Sequence, residues 1–161
     1  IEDLSPLANL VNLTFLDLTS NPTSDLSPLS GLITMQTLFL QENLVTDITP
    51  LIGLTNLKYL FLNNNEISDL GPLSDLVNML ELWVGNNQIS DLDPLVYLPN
   101  LYELYLVGNQ IVDIGPLVNN QGIDKGDWVN IIENSLDCED PETLEYIDTL
   151  EERGVILYHD C

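Results

Sequence analysis

The chain has little to do chemistry with: one histidine, two cysteines, three basic residues and 26 carboxylates in 161 residues. His159 stands beside Asp160 and Cys161, and a Cys–His pair can serve as nucleophile and base. Cys161 is more simply matched with Cys138, which leaves His159 as a surface residue near the end of the chain. Paired carboxylates are common here only because carboxylates are common, and no Gly-rich phosphate loop joins a strand to a helix. A row of Asp3, Asp25, Asp47, Asp69, Asp91 and Asp113 raises the question of calcium. Each of these serves its own repeat, however, and the Gly-rich nonapeptide signature of calcium-binding repeats is missing. Neither catalysis nor a metal nor a cofactor is expected in this segment.

Recognition chemistry is better represented. Phe39, Phe61, Trp83 and Tyr105 recur every 22 residues, preceded at the same spacing by Asp17 and followed by Asn130 in the next unit. Two residues earlier a second column reads Phe15, Thr37, Tyr59, Glu81, Glu103 and Trp128, with Tyr102 beside it. Aromatic side chains are enriched at binding interfaces and supply most of their anchors. Glu42, Glu81, Glu103 and Asp17 would rim such a stripe with carboxylates suited to Lys or Arg on a partner. The competing reading is structural: aromatics stacked across strands can simply stabilise a sheet.

The elements that must position these residues are written into the repeat. The pentad Asp-(Leu/Ile)-x-Pro-Leu begins at residues 3, 25, 47, 69, 91 and 113 without a slip, and a fixed period in this range marks a solenoid. Each repeat holds an L-x-L segment, expected as a strand near 16–18, 38–40, 60–62, 82–84 and 104–106. Alternation turns the aliphatics inward and the middle residue outward, so stacked coils present the aromatics as one stripe on a parallel sheet. Beyond each strand, with two residues between, come Asn21, Asn43, Asn65, Asn87, Asn109 and, in the last coil, Asn134. An amide side chain carries donors and an acceptor, and these six are expected to satisfy backbone groups at the turn. On the opposite side Pro suits the first position of a short helix. The residue before it (Ser5, Ser27, Thr49, Gly71, Asp93 or Gly115) is an acceptable N-cap, and the Asp ladder is expected to hold turn N–H groups.

The spacing breaks after Leu117, where 118–123 carries a three-residue insertion before a degenerate last coil ending at Asn134 and Leu136. Residues 1–137 thus read as the array and 138–161 as its C-terminal cap. Asp140 and Pro141 start a helix running to about 152 with Leu144, Ile147 and Leu150 as its buried stripe, and 155–158 should form a strand. Cys138 and Cys161 are expected to be bonded, clamping that strand to the array; two free thiols, the usual cytosolic state, are the alternative.

A net charge of −23 with only Lys58, Lys125 and Arg153 as cations excludes nucleic acid, whose binding rests on neutralising phosphates, and docking on anionic lipid. It favours basic proteins, or it serves solubility alone. No run approaches the length of about 18 apolar residues that a membrane span needs, so direct insertion is not expected. The chain opens at Ile1 inside a repeat with no polar cap ahead of it. Residue 1 is therefore expected to begin a processed form or part of a longer protein, and the bare edge is a place for self-association.

The pattern L-x-x-L-x-L-x-x-N-x-(I/L)-x-D-(L/I)-x-P-L-x-x-L resembles the leucine-rich repeat family, in its 22-residue class found in internalin-type bacterial surface proteins. The ending, a GD-V coil, a helix and an RGV strand, is similar to those of secreted bacterial and archaeal members. The resemblance implies an α/β solenoid: a right-handed array with a concave parallel sheet, short convex helical turns and a helix–strand cap. It further implies a secreted or cell-surface module that holds a protein partner in the concave face. A structural unit of a surface layer or filament, or an intracellular regulatory scaffold, are the alternatives.

Overall fold

Each repeat yields one short strand, and the computed structural model describes all 161 residues. The strands are β1 (Phe15–Asp17), β2 (Thr37–Phe39), β3 (Tyr59–Phe61), β4 (Glu81–Trp83), β5 (Glu103–Tyr105), β6 (Trp128–Asn130) and β7 (Ile156–Tyr158). They pair in parallel, in chain order, as one seven-stranded sheet. Positions 22 apart face each other, so Leu38, Leu60, Leu82 and Leu104 align across four strands.

The strands begin and end one residue before the expected L-x-L segments. The second leucine of each is still inside the ladder: Leu18 N–H donates to the Phe39 carbonyl at 2.9 Å and Leu40 N–H to that of Phe61 at 2.8 Å. The polypeptide turns immediately afterwards, and Ser20, Glu42, Asn64, Asn86, Gly108 and Glu133 all take a left-handed φ of 54–69° at this corner. Only the glycine among them does so without steric penalty.

Inward alternation fills one continuous core. Leu38, Leu40, Leu60, Leu62, Leu82, Val84, Leu104 and Leu106 are buried, and they meet Leu29, Leu51, Leu73, Leu95 and Leu117 from the far wall. That wall is built by the pentad as five 3-10 turns, Ser5–Leu7, Ser27–Leu29, Thr49–Leu51, Gly71–Leu73 and Asp93–Tyr97, and by α1 (Gly115–Asn119). The capping differs from expectation. The residue before Pro is already the first of the turn, and the N-cap position is a Leu or Ile with no side-chain bond. The Asp one position earlier does the capping: its Oδ1 accepts the N–H two residues on, at 2.7–2.8 Å in all six repeats. Aspartate's short side chain makes this local bond readily.

Helix α2 (Pro141–Arg153) closes the C-terminal end of the core. Asp140 caps it by accepting from Thr143 N–H, and Gly154 ends it with φ +92°. Its buried face is Thr143, Ile147 and Leu150, with Tyr146 packed alongside. Leu144, expected on that face, is exposed; the i, i+4, i+7 stripe runs from 143, one position round the helix. The Arg153 guanidinium ties the helix to the irregular segment by donating to the carbonyls of Val118, Asn120 and Ile123 at 2.8–3.1 Å.

Cys138 and Cys161 are bonded, 23 positions apart. A loop of this size stabilises by roughly 3 kcal/mol in the chain-entropy model. Because coils contact only their neighbours, reduction should loosen the end alone. Hydrogen exchange with and without dithiothreitol should show α2 and β7 amides losing protection while those of β2–β5 keep theirs. Loss of protection throughout the array would contradict this.

Candidate functional site

Alternation along each strand leaves two positions on the solvent face of the sheet, and 22-residue register lines them up as columns. In the first column Phe39, Phe61, Trp83 and Tyr105 stand on adjacent strands. Their rings touch in sequence: Phe39 and Phe61 stack at 4.5 Å and 5°, Phe61 meets Trp83 edge-on at 5.3 Å, and Trp83 stacks on Tyr105 at 5.5 Å. The row is longer than the sequence columns imply. Phe15 leans onto Phe39 at 5.6 Å, Trp128 stacks on Tyr105 at 6.0 Å, and Tyr158 meets Trp128 at 5.6 Å. One line of seven rings therefore crosses all seven strands, with Phe15 and Trp128 joining it from the second column.

Exposure along the row is uneven. Phe15 and Tyr158 at its ends are open to solvent, and Phe39, Trp83, Tyr105 and Trp128 are half-buried. Phe61 needs a correction: it is 9 % exposed, and so buried. The register is as expected, since Leu60 beside it points inward with no exposure. Phe61 is covered on the outer face by its own neighbours, flat against Phe39 and under the edge of Trp83.

Carboxylates flank the row where β4 and β5 run together. Glu81 and Glu103 are register partners on adjacent strands, a like-charge pairing that is unfavourable by itself. Burial, and after it the Glu81 charge, pushes the Glu103 carboxyl above the usual carboxylate range. The Trp83 indole N–H, buried without a hydrogen-bond partner, sits beside Glu103 and pulls against that rise. Tyr102 donates its hydroxyl to Glu81, which pushes the phenol up to about 12. Tyr59 precedes Glu81 in the same column. At the N-terminal end the Thr19 N–H holds the Asp17 carboxyl below its ordinary value, and Glu42 accepts from Ser20 Oγ at 2.6 Å. None of the chain's cations answers these charges: no Lys or Arg lies within 4.0 Å of a carboxylate, and His159 Nε2 stands 3.5 Å from Glu151 on the cap. With Cys161 in the disulfide, His159 has no thiol to act on.

The asparagines behind the face hold its strands in place. Asn43 Nδ2 donates to the carbonyls of Leu18 and Leu40, and its Oδ1 accepts Thr23 N–H, so one side chain links two coils. Asn65, Asn87 and Asn109 repeat the pattern with the coil before each. Asn134 does so across the insertion, accepting from Ile111 N–H and donating to Leu106 and Ile131. Asn21 bonds within its own coil, to the carbonyls of Leu18 and Thr19, and accepts from the amino terminus. A second ladder escaped the sequence reading. Thr34, Asn56, Asn78 and Asn100 each donate to a carbonyl of the preceding coil, at Val11, Ile33, Thr55 and Val77, from 2.7 to 2.9 Å. The signal was present as a polar residue directly before Met35, Leu57, Met79 and Leu101, again at 22-residue spacing.

Comparison with known proteins agrees with this architecture. A family model described as Leucine Rich repeats (2 copies) matches twice, over residues 33–76 and 77–119. The crystal structure of an internalin C2 of Listeria monocytogenes superimposes with a TM-score of 0.82 at 34% identity, over 99% of this chain and 66% of that one. An internalin of the same organism, InlF, gives 0.85 at 34% identity, over 100% of this chain and 47% of that one. A leucine-rich repeat protein of Leptospira interrogans shares the fold at 20% identity and a TM-score of 0.71. The chain thus spans about two thirds and about half of the two internalins it matches. No curated protein matches the sequence.

Proposed function

The chain belongs to the leucine-rich repeat family, internalin type, and on that premise we propose that it recognises a basic protein partner on the concave face of its sheet, over the aromatic row. The family's fold is that of a protein–protein interaction module. The single observation that carries the finer reading is the row itself. Seven rings cross the whole sheet with acidic side chains beside them, on a surface whose core is already filled by leucines.

Several features support a basic partner. The rings hold one another in place before any partner arrives, and anchors that are preorganised lose little freedom on binding. Phe61 acts from behind, as the backing of Phe39 and Trp83, and the partner meets Phe39, Trp83, Tyr105, Tyr59 and Tyr102 directly. Asp17, Glu42, Glu81 and Glu103 receive Lys or Arg, whose stems and heads also suit aromatic faces. The charge of −23 steers such a partner in from a distance. The disulfide supports an extracellular or cell-surface location. No helix is long and apolar enough to cross a membrane.

The burial of Phe61 favours a second reading, in which the row only staples the strands together. Selection from a random peptide library on the folded, oxidised chain separates the two. The recognition reading expects enriched peptides rich in Lys and Arg, with affinity that falls as salt rises. Enrichment of neutral or acidic peptides, or none at all, would leave the stapling reading.

A further inference from the structure

We propose that Gly85 is a positioning residue for the recognition face, because its missing side chain is the space in which the Tyr105 ring lies. The inference deepens the reading above and rests on it. At the position two residues past the centre of the row the successive coils carry Thr19, Gln41, Asn63, Gly85, Val107 and Ile132. Gly85 alone has no side chain, and it is not among the residues with left-handed φ. Its backbone conformation is one any residue adopts, so the reason for glycine is room.

That room is filled by one group. A Cβ built on Gly85 would stand 2.5 Å from Tyr105 Cε1 and 2.7 Å from Cδ1, with the Val107 carbonyl next at 3.1 Å. The backbone cannot retreat. Gly85 N–H donates to Asn63 Oδ1 at 2.7 Å, and its carbonyl accepts from Asn64 N–H at 2.9 Å and Asn87 Nδ2 at 3.2 Å. Any side chain here must therefore turn the tyrosine away.

The ring at stake is the joint of the row. Tyr105 stacks on Trp83 at 29° and on Trp128 at 13°. Rotating it splits the row into Phe15 to Trp83 on one side and Trp128 with Tyr158 on the other. A partner reading the whole row would lose its C-terminal end without any aromatic residue having been removed.

The test is a double-mutant cycle of Gly85→Ala and Tyr105→Ala. Near-UV circular dichroism reads the stacking in the free chain, and affinity for the selected Lys/Arg-rich peptide reads the face. Gly85→Ala alone should flatten the aromatic signal and weaken the peptide by about tenfold, nearly as much as Tyr105→Ala does. In the Tyr105→Ala background the glycine substitution should change neither. If Gly85→Ala alone fails to fold, the Tyr105→Ala background should restore folding, since the two contacts under 3 Å, both to the Tyr105 ring, are gone. An effect of Gly85→Ala that persists in that background, or an unchanged aromatic signal, overturns the assignment. A peptide indifferent to Tyr105→Ala overturns the recognition reading and with it the functional half of this inference, while the spectroscopic arm still decides the positioning half.

Discussion

Leu82→Ala should lower the free energy of unfolding by about 2–5 kcal/mol, read from equilibrium urea melts of the oxidised chain. Leu82 has no exposed surface and lies in β4 between Leu60 and Leu104, its register partners in the coils on either side. The loss combines the transfer of the removed carbons with the cavity they leave. A cavity here collapses poorly. The coils on either side are held at fixed spacing by strand hydrogen bonds and by Asn65, Asn87 and Asn109. The substitution should therefore fall in the upper half of the range. A change under about 1 kcal/mol, the scale of a trimmed methyl group, would mean that Leu82 is not part of the shared core.

Asn65→Ala should be of similar size for a different reason, on the order of 3 kcal/mol. The side chain is buried, accepts Val45 N–H at 2.9 Å, and donates to the Leu40 and Leu62 carbonyls at 2.8 and 2.9 Å. Alanine leaves the Val45 N–H unpaired where water does not reach it, at about 1–3 kcal/mol, and takes one of two amide donors from each carbonyl, since Asn43 still serves Leu40 and Asn87 still serves Leu62. Because Leu40 and Val45 belong to the preceding coil, the substitution should loosen the contact between two repeats rather than the one that carries it. Hydrogen exchange should show faster exchange at Val45, whose N–H has lost its acceptor. Unchanged protection at Val45 would contradict the account.

The period, the inward leucines and the outward ring column were legible because every coil repeats the same chemistry at the same 22-residue spacing. Details that depend on where the backbone turns were less so. The strands sit one residue early, and the capping role falls to Asp25 and its equivalents rather than to Ser27, because Ser27 is already inside the turn. The left-handed corner at Glu42 and Glu133 carries no compositional mark, since neither is a residue that prefers it. The ladder from Thr34 to Asn100 was written at the same period but stands beside the more obvious asparagines.

At the site, the limit was the third dimension of the rings. A column in the sequence places Phe61 on the outer face, yet only the orientations of Phe39 and Trp83 decide that it is covered. Trp128 stands in the neighbouring column, opposite Glu103, and reaches Tyr105 only on the diagonal, and Tyr158 lies beyond the last repeat. The C-terminal rings of the row were therefore invisible as one line with the rest. Gly85 reads as an unremarkable turn residue until the Tyr105 ring is seen lying across it.

The central claim is most directly tested by the affinity of the selected Lys/Arg-rich peptide for Trp83→Ala and Leu82→Ala, adjacent residues that face opposite ways. Trp83 touches Phe61 and Tyr105, and losing two aromatic pairs should take about 1–3 kcal/mol of stability. Leu82→Ala takes more and leaves the outer face in place. At a temperature where both variants are folded, Trp83→Ala should weaken the peptide by about 30-fold, the equivalent of about 2 kcal/mol, while Leu82→Ala stays within a few-fold of the parent. Equal affinity for Trp83→Ala and the parent chain would show that the row holds the sheet together and that the partner binds elsewhere.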